Sequence, residues 1–288
     1  MRELVEPAPA KVNLTLEILA RRDDGYHTLE SLVVFADVGD RLKLIPGKTL
    51  ALELAGRRAR ECGPIADNLV LKAAQALASK VHDLRLGRLT LIKSLPVTAG
   101  LGGGSADAAA ALRLLAKLNK LAPDDPDIMA VARAIGADVP VCIDPRPRVM
   151  RGIGEILSPP LPVPRFPAVL INPGVAVPTK DVFASLGLRT GERRRAAAAD
   201  VAVPTEREQL LQFLAHHPND LEDAAIRHQP VIADVLAQLH VPGCRLARMS
   251  GSGATCFGLF DTRAAARAAG RKLQAVHPQW WVRAAMLG

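Results

Sequence analysis

The chain has 288 residues, 49% of them hydrophobic and only 3% aromatic, with a net charge of +8. That is enough apolar material for two domains with cores of Ala, Leu and Val, and no apolar run reaches the roughly 18 residues a membrane span needs. The four cysteines (Cys62, Cys142, Cys244 and Cys256) lie far apart with no C-x-x-C pair, which argues against a zinc knuckle or a redox motif.

The positive charge suits a polyanionic partner. The basic residues are scattered, however, the densest run being Arg193, Arg194 and Arg195, and no basic stripe is interleaved with aromatics. Charge alone leaves nucleic acid, an acidic membrane surface and a phosphorylated small molecule open; the scattered basic residues weigh against nucleic acid, and the expectation is no nucleic acid and no membrane. The opening "MRELVEPAPAKVNL" has acids and prolines where a signal peptide needs an apolar run, so the expected compartment is the cytoplasm.

In chain order, "PAKVNLTLEILA" (9–20) alternates apolar and polar residues and reads as a strand. Asp24-Gly25 marks a hairpin, and "ESLVVFADVGDRLKLIP" and "LALEL" continue the extended character. "DNLVLKAAQALASKV" reads as a helix capped by Asp67 or Asn68, and "RLTLIKSLP" as a strand ending at Pro96. A glycine loop and a helix to about Leu121 follow. "DDPDIMAVARAIG" predicts a capped helix stopped by Gly136, and "ADVPVCI" a short buried strand. Five prolines in residues 158–167 mark the expected boundary between an N-terminal domain (1–157) and a C-terminal domain (158–288). Beyond it come a strand ("AVLINPG"), a mostly helical stretch from 180 to 240, and a strand–glycine turn–strand over "RLARMSGSGATCFGLFD". A helix ("TRAAARAAGRKLQAV") and a closing strand ("WWVRAAML") complete the chain, and "ERRRAAAADVAV" reads as a mobile surface segment. Strands and helices mix without regular βαβ alternation, which predicts an α+β protein rather than a doubly wound sheet.

The chemistry concentrates in "PVTAGLGGGSADAAAALRLL", residues 96–115. A dinucleotide fingerprint beginning at Gly100 needs glycine at 105, where this chain has Ser105. A Walker loop closes with Gly-Lys-Ser/Thr, and no lysine is present here. What remains is a loop whose N–H groups face a phosphate chain at a helix N-terminus, with Ser105 supplying a hydroxyl for a phosphate oxygen or its Mg²⁺. Asp107 either joins such a metal or caps the helix.

"P-x-x-x-G-L-G-G-G-S-A-D-A-A-A" (Pro96 to Ala110), together with "PAPAKVNLTLEI" and "MSGSGATCFGLF", resembles the three ordered motifs of the GHMP kinases. With "DGYHTLES", "GADVPVCI", "GIGEIL" and "NPGVAVPT", the set is similar to the branch of that family acting on a cytidyl-diphosphate alcohol. The resemblance implies an N-terminal domain like the second domain of ribosomal protein S5 and a ferredoxin-like C-terminal domain. It implies ATP and Mg²⁺ as cofactors and a monomer or weak homodimer. By the same resemblance Asp138 is the general base and Lys11 lies beside the reacting hydroxyl. Pro96, Gly100, Leu101, Gly102, Gly103, Gly104 and Ser105 hold the phosphates, with Asn68 and Lys93 near the adenosine. Tyr26 and Phe183 stack on cytosine from opposite sides, His27 makes a polar contact to it, and Thr179 lies beside Phe183. Asn13, on the same strand face as Lys11, binds substrate or satisfies a turn. The implied place for the substrate is the cleft between the domains. Another alcohol, such as homoserine or mevalonate, is the competing substrate reading. The metal ligands stay open, with Ser105 and Asp107 as candidates.

Overall fold

The computed structural model describes residues 3–122, 124–196 and 202–288. The "ERRRAAAADVAV" segment therefore falls partly outside the described residues. The architecture is α+β, and the chain forms two compact units that interleave in sequence. The first contains residues 1–11, 39–97 and 102–145; the second contains 12–38, 98–101 and 146–288. The division at residue 158 follows chain order, whereas these units do not. The proline stretch falls within the second.

Strand β1 (Leu4–Asn13) ends where the expected single strand over 9–20 breaks, and β2 (Glu17–Arg21) resumes it. Leu16 there makes a parallel bridge to Asn219 instead of continuing β1. Strand β3 (His27–Gly47) runs through both units; its later half buries Asp40, Leu42 and Leu44 while Arg41 and Ile45 face out, the two-residue period of a one-sided strand. In the first unit β5 (Leu86–Ile92) lies antiparallel to β3, and β4 (Ala51–Ala55) parallel to β5.

Among the described residues, four α-helices belong to the first unit. Helix α1 (Leu69–Lys80) is capped by Asn68, whose side chain accepts from the Val70 N–H. Helix α2 (Gly103–Asn119) follows the glycine loop; Ala106 and Ala108–Ala111 are small enough for close helix packing, and Leu112, Leu114 and Leu115 are fully enclosed. Helix α3 (Pro126–Ile135) has Asp125 as N-cap and proline at its first position. Residues Val139–Ile143 form α4, a short helix and not the expected strand. A five-residue apolar run carries no period that separates the two, and Pro140 at a first-turn position favours the helix.

The second unit begins with β2 antiparallel to the first part of β3, with His27 opposite Arg21. Strands β6 (Arg148–Gly152) and β7 (Ile156–Leu157) add to it. Then come β8 (Phe166–Asn172), helices α5 (Thr179–Ala184), α6 (Arg207–His216), α7 (Glu222–His228) and α8 (Val231–Leu239), the hairpin β9 (Cys244–Met249) and β10 (Cys256–Phe260), α9 (Arg263–Val276) and β11 (Trp281–Leu287). The sheet order is β11–β8–β10–β9 with all neighbours antiparallel. With helices between β8 and β9 and between β10 and β11, that is the ferredoxin-like βαββαβ arrangement. Strand β8 is buried along its whole length, and Val169 and Ile171 join Val235, Phe260, Leu273 and Val282 in one core. Among the described residues, no helix is long and apolar enough to cross a membrane.

Candidate active site

The glycine loop belongs to both units: 98–101 cluster with the second and 102–105 with the first. In the second unit, the Ser250 hydroxyl donates to the Gly100 carbonyl at 2.9 Å and accepts from the Asn13 N–H at 3.0 Å. The Asn13 side-chain amide donates to Ser31 Oγ at 2.7 Å, leaving Asn13 Oδ1 buried without a partner. Gly100 has φ +72°, and a Cβ there would lie 2.3 Å from the Ser250 carbonyl oxygen, so no larger residue fits. The first motif, the loop and the third motif thus meet at Asn13, Gly100 and Ser250. Ser250 and Ser31 carry no signal in the sequence, because a buried serine within a glycine turn looks like any other.

In the first unit two lysines lie against the loop where it becomes α2. Lys11, on β1, packs its alkyl stem over Gly102, where a Cβ would come within 3.2 Å of Lys11 Cε. Its ammonium meets Asp138 Oδ1 at 3.0 Å; the Lys11 side chain is 5% exposed and the Asp138 side chain 35%. Asp138 sits at the N-terminus of α4 but makes no cap hydrogen bond with its side chain. The structure therefore brings together the two residues singled out for catalysis, 127 positions apart in sequence, with the carboxylate still open to solvent.

Lys93, which the resemblance puts near the adenosine, pairs with two carboxylates of the first unit. Its ammonium is enclosed between Asp40 Oδ2 and Asp107 Oδ2, both at 2.6 Å, with side-chain exposures of 4%, 0% and 3%. Asp40 Oδ1 also accepts from the Leu95 N–H at 2.8 Å, and a Cβ at Gly103 would lie 3.3 Å from Lys93 Nζ. Asp107 makes no cap: α2 has no side-chain cap bond, and Asp107 is buried in its second turn with Oδ1 unpartnered. Burial, with Asp40 adding to it, pushes the Asp107 carboxyl up to about 7 against the opposing pull of Lys93. The two carboxylates overcompensate the burial of Lys93 and raise its pKa, so the ammonium stays charged. Asn68 is the cap of α1, Ser105 is half-buried in the first turn of α2, and Gly104 beside it is exposed.

The aromatic residues gather in the second unit. His27 is buried, its ring centroid 5.1 Å from that of Phe183 and tilted by 38°. Burial lowers the His27 pKa, and the Arg21 cation lowers it further, so the ring is held neutral. Tyr26 is 61% exposed at the β2–β3 turn, a position that leaves its ring face free to stack. Thr179 begins α5 one turn before Phe183, with its hydroxyl 2.8 Å from that of Ser252. Among the described residues no cluster of three His, Cys, Asp or Glu side chains could hold a metal ion by itself.

The GHMP kinases N terminal domain matches residues 68–144 of this chain and the GHMP kinases C terminal matches residues 205–279. A 4-diphosphocytidyl-2-C-methyl-D-erythritol kinase from Rhodopseudomonas palustris is 54% identical, covering 100% of this chain and 96% of the relative. One from Methylobacterium radiotolerans is 56% identical, covering 98% of each. A crystal structure of 4-(cytidine 5'-diphospho)-2C-methyl-D-erythritol kinase superposes with a TM-score of 0.79 at 36% identity, covering 99% of both chains. A homoserine kinase from Cytophaga hutchinsonii superposes with a TM-score of 0.71 at 18% identity, a likeness of fold alone.

Proposed function

The chain belongs to the GHMP kinases, in the 4-diphosphocytidyl-2-C-methyl-D-erythritol kinase family, and from that premise we propose how its own residues carry out the transfer. It is an ATP-dependent small-molecule kinase that phosphorylates the 2-hydroxyl of 4-diphosphocytidyl-2-C-methyl-D-erythritol, a step of non-mevalonate isoprenoid precursor biosynthesis.

The observation that carries the mechanism is the Lys11–Asp138 pair, half open to solvent and leaning on the glycine loop. Asp138 Oδ accepts the proton of the substrate hydroxyl as its oxygen attacks the γ-phosphorus, and the bond from that phosphorus to the β,γ-bridging oxygen breaks, so that ADP leaves. Lys11 orients that carboxylate and places a cation where negative charge develops on the transferring group. The N–H groups at the start of α2 receive the ATP phosphates, helped by the helix dipole. Gly100 and Leu101 hold the approach to that helix through the Ser250 bond. Strand β5 ends at Ile92, not at Pro96 as the sequence suggests, so Pro96 lies in the loop ahead of the glycines, and Asn68 shapes the start of α1.

Mg²⁺ neutralises phosphate charge in such transfers. The half-buried Ser105 hydroxyl fits a group near the phosphates. Asp107 does not fit, because one oxygen is committed to Lys93 and the whole side chain is enclosed. Tyr26 and Phe183 take the cytosine ring by stacking, worth about 1–3 kcal/mol for each aromatic face, while His27, its ring 5.1 Å from that of Phe183, makes the polar contact and Thr179 lies on α5 beside them. Asn13 Oδ1, buried and unpartnered, is the acceptor left over for a substrate hydroxyl. The enzyme works in the cytoplasm on a small molecule, without nucleic acid, as a monomer or weak homodimer.

The test is ADP release from ATP and Mg²⁺ with the cytidyl substrate, set beside homoserine and mevalonate. Turnover with the cytidyl compound alone is expected. Turnover with either other alcohol, and none with the cytidyl compound, would refute the assignment.

A further inference from the structure

Arg21 stands directly across the β2–β3 pair from His27. Its Nη1 donates to the Leu188 carbonyl at 2.8 Å, and its backbone bonds the 191–192 turn on both sides: the Arg21 N–H donates to the Glu192 carbonyl at 2.9 Å and the Gly191 N–H donates to the Arg21 carbonyl at 2.9 Å. The guanidinium is therefore fixed in place rather than free to swing. Two side-chain nitrogens on this strand pair, Arg21 Nε and His27 Nε2, are buried with no hydrogen-bond partner. Buried polar atoms without partners are rare, and His27 Nε2, on a ring that lies against Phe183, is an acceptor or donor left over for a ligand.

We propose that Arg21, fixed across the strand pair from His27, is a positioning residue for base recognition, in which His27 Nε2 accepts from the exocyclic amino group of cytosine. The inference rests on the reading that this pocket takes the cytidyl base. Cytosine presents an amino donor where uracil presents a carbonyl acceptor. A neutral imidazole has one acceptor nitrogen, whereas an imidazolium has two donors and none. Neutrality at His27 thus favours cytosine over uracil, and protonation erases that preference. A cation opposite the ring opposes protonation most directly. The other charged groups near it (Asp23 and Asp24 in the β2–β3 turn, Lys180 and Asp181 on α5, Arg189 and Glu192 in the following loop) are exposed and screened by water. Glu30, further along β3, is engaged by Arg151 at 2.6 Å.

The experiment is the pH profile of kcat/KM for the cytidyl substrate and its uridyl analogue in the parent, Arg21→Gln and Arg21→Lys proteins. In Arg21→Gln the acid limb moves to higher pH by about half a unit, which is about threefold in kcat/KM at the acid end. The cytidyl-over-uridyl ratio narrows there by a similar factor, while KM for ATP moves less. Arg21→Lys keeps the cation and retains the parent limb. An unmoved acid limb in a folded Arg21→Gln protein would overturn the proposal. Independently of any variant, the His27 ring in the parent protein titrates below the ordinary value of about 6.5 by NMR; titration at or above that value would also overturn it. His27→Ala separates this inference from its premise. If its KM for the cytidyl substrate equals the parent's, the base pocket itself is misassigned. If that KM rises while the Arg21→Gln limb stays put, only the role of Arg21 fails.

Discussion

Lys11 and Lys93 lie against neighbouring glycines of one loop, yet they do opposite jobs. Lys11 touches Gly102 with its stem and pairs with a single carboxylate that is 35% exposed. Lys93 lies against Gly103 with its ammonium and is sealed between two carboxylates that are 0% and 3% exposed. Residue type and proximity to the loop are the same. What separates them is whether the partner keeps a free oxygen facing water. An open carboxylate can accept a proton from a substrate; a closed pair can only hold the loop's foundation in place.

Substitution is the sharpest way to break this contrast. Lys93→Met leaves two buried carboxylates facing each other and costs about 3–5 kcal/mol, read as a large fall in Tm or in the urea midpoint. Lys11→Met, whose partner stays solvated, lowers Tm far less and removes most of kcat. Equal losses of Tm in the two variants would dissolve the distinction. A smaller effect is expected at the glycine between them. Gly102 has φ +60°, so Gly102→Ala adds about 1–2 kcal/mol of backbone strain and a Cβ that displaces Lys11. Its kcat falls by about 10- to 100-fold with KM for the cytidyl substrate little changed; a parent-like kcat would show that Lys11 tolerates the shift.

The smallest and most specific effect concerns pH. The Asp107 carboxyl is raised from 3.8 to about 7, so the folded protein holds a proton there that the unfolded chain releases. Stability from this group is complete below the unfolded value and is lost as pH rises through about 7. Asp107→Asn removes that dependence. Its Tm should exceed the parent's at pH 8, and the difference should shrink as pH falls toward 4. A constant difference across that range would mean that Asp107 is ionised throughout.

Much of this was legible in the sequence where local chemistry decides. The glycine loop with its alanine-rich helix, the Asn68 and Asp125 caps and the helix over 263–276 follow from spacing and propensity. Lys11 and Asp138 were nameable only through the resemblance, since an isolated strand lysine and a turn aspartate announce nothing. Where long-range packing decides, the sequence was silent. Asp40 lies 53 residues from Lys93, and nothing near either residue reveals that they are enclosed together. The helix at 139–143 was misread because a short buried apolar run looks alike in both conformations. Asp107 reads as a cap or a metal ligand because its enclosure depends on Lys93 and Asp40, which lie 14 and 67 residues away in the chain.

The most direct measurement is single-turnover phosphoryl transfer by Asp138→Asn at saturating ATP and cytidyl substrate. With Tm and both KM values near those of the parent, the transfer rate should fall by about 10²- to 10⁴-fold, the range general-base catalysis supplies. A rate within a few-fold of the parent would show that Asp138 does not take the proton, and that the open Lys11–Asp138 pair is no more catalytic than the closed one beneath it.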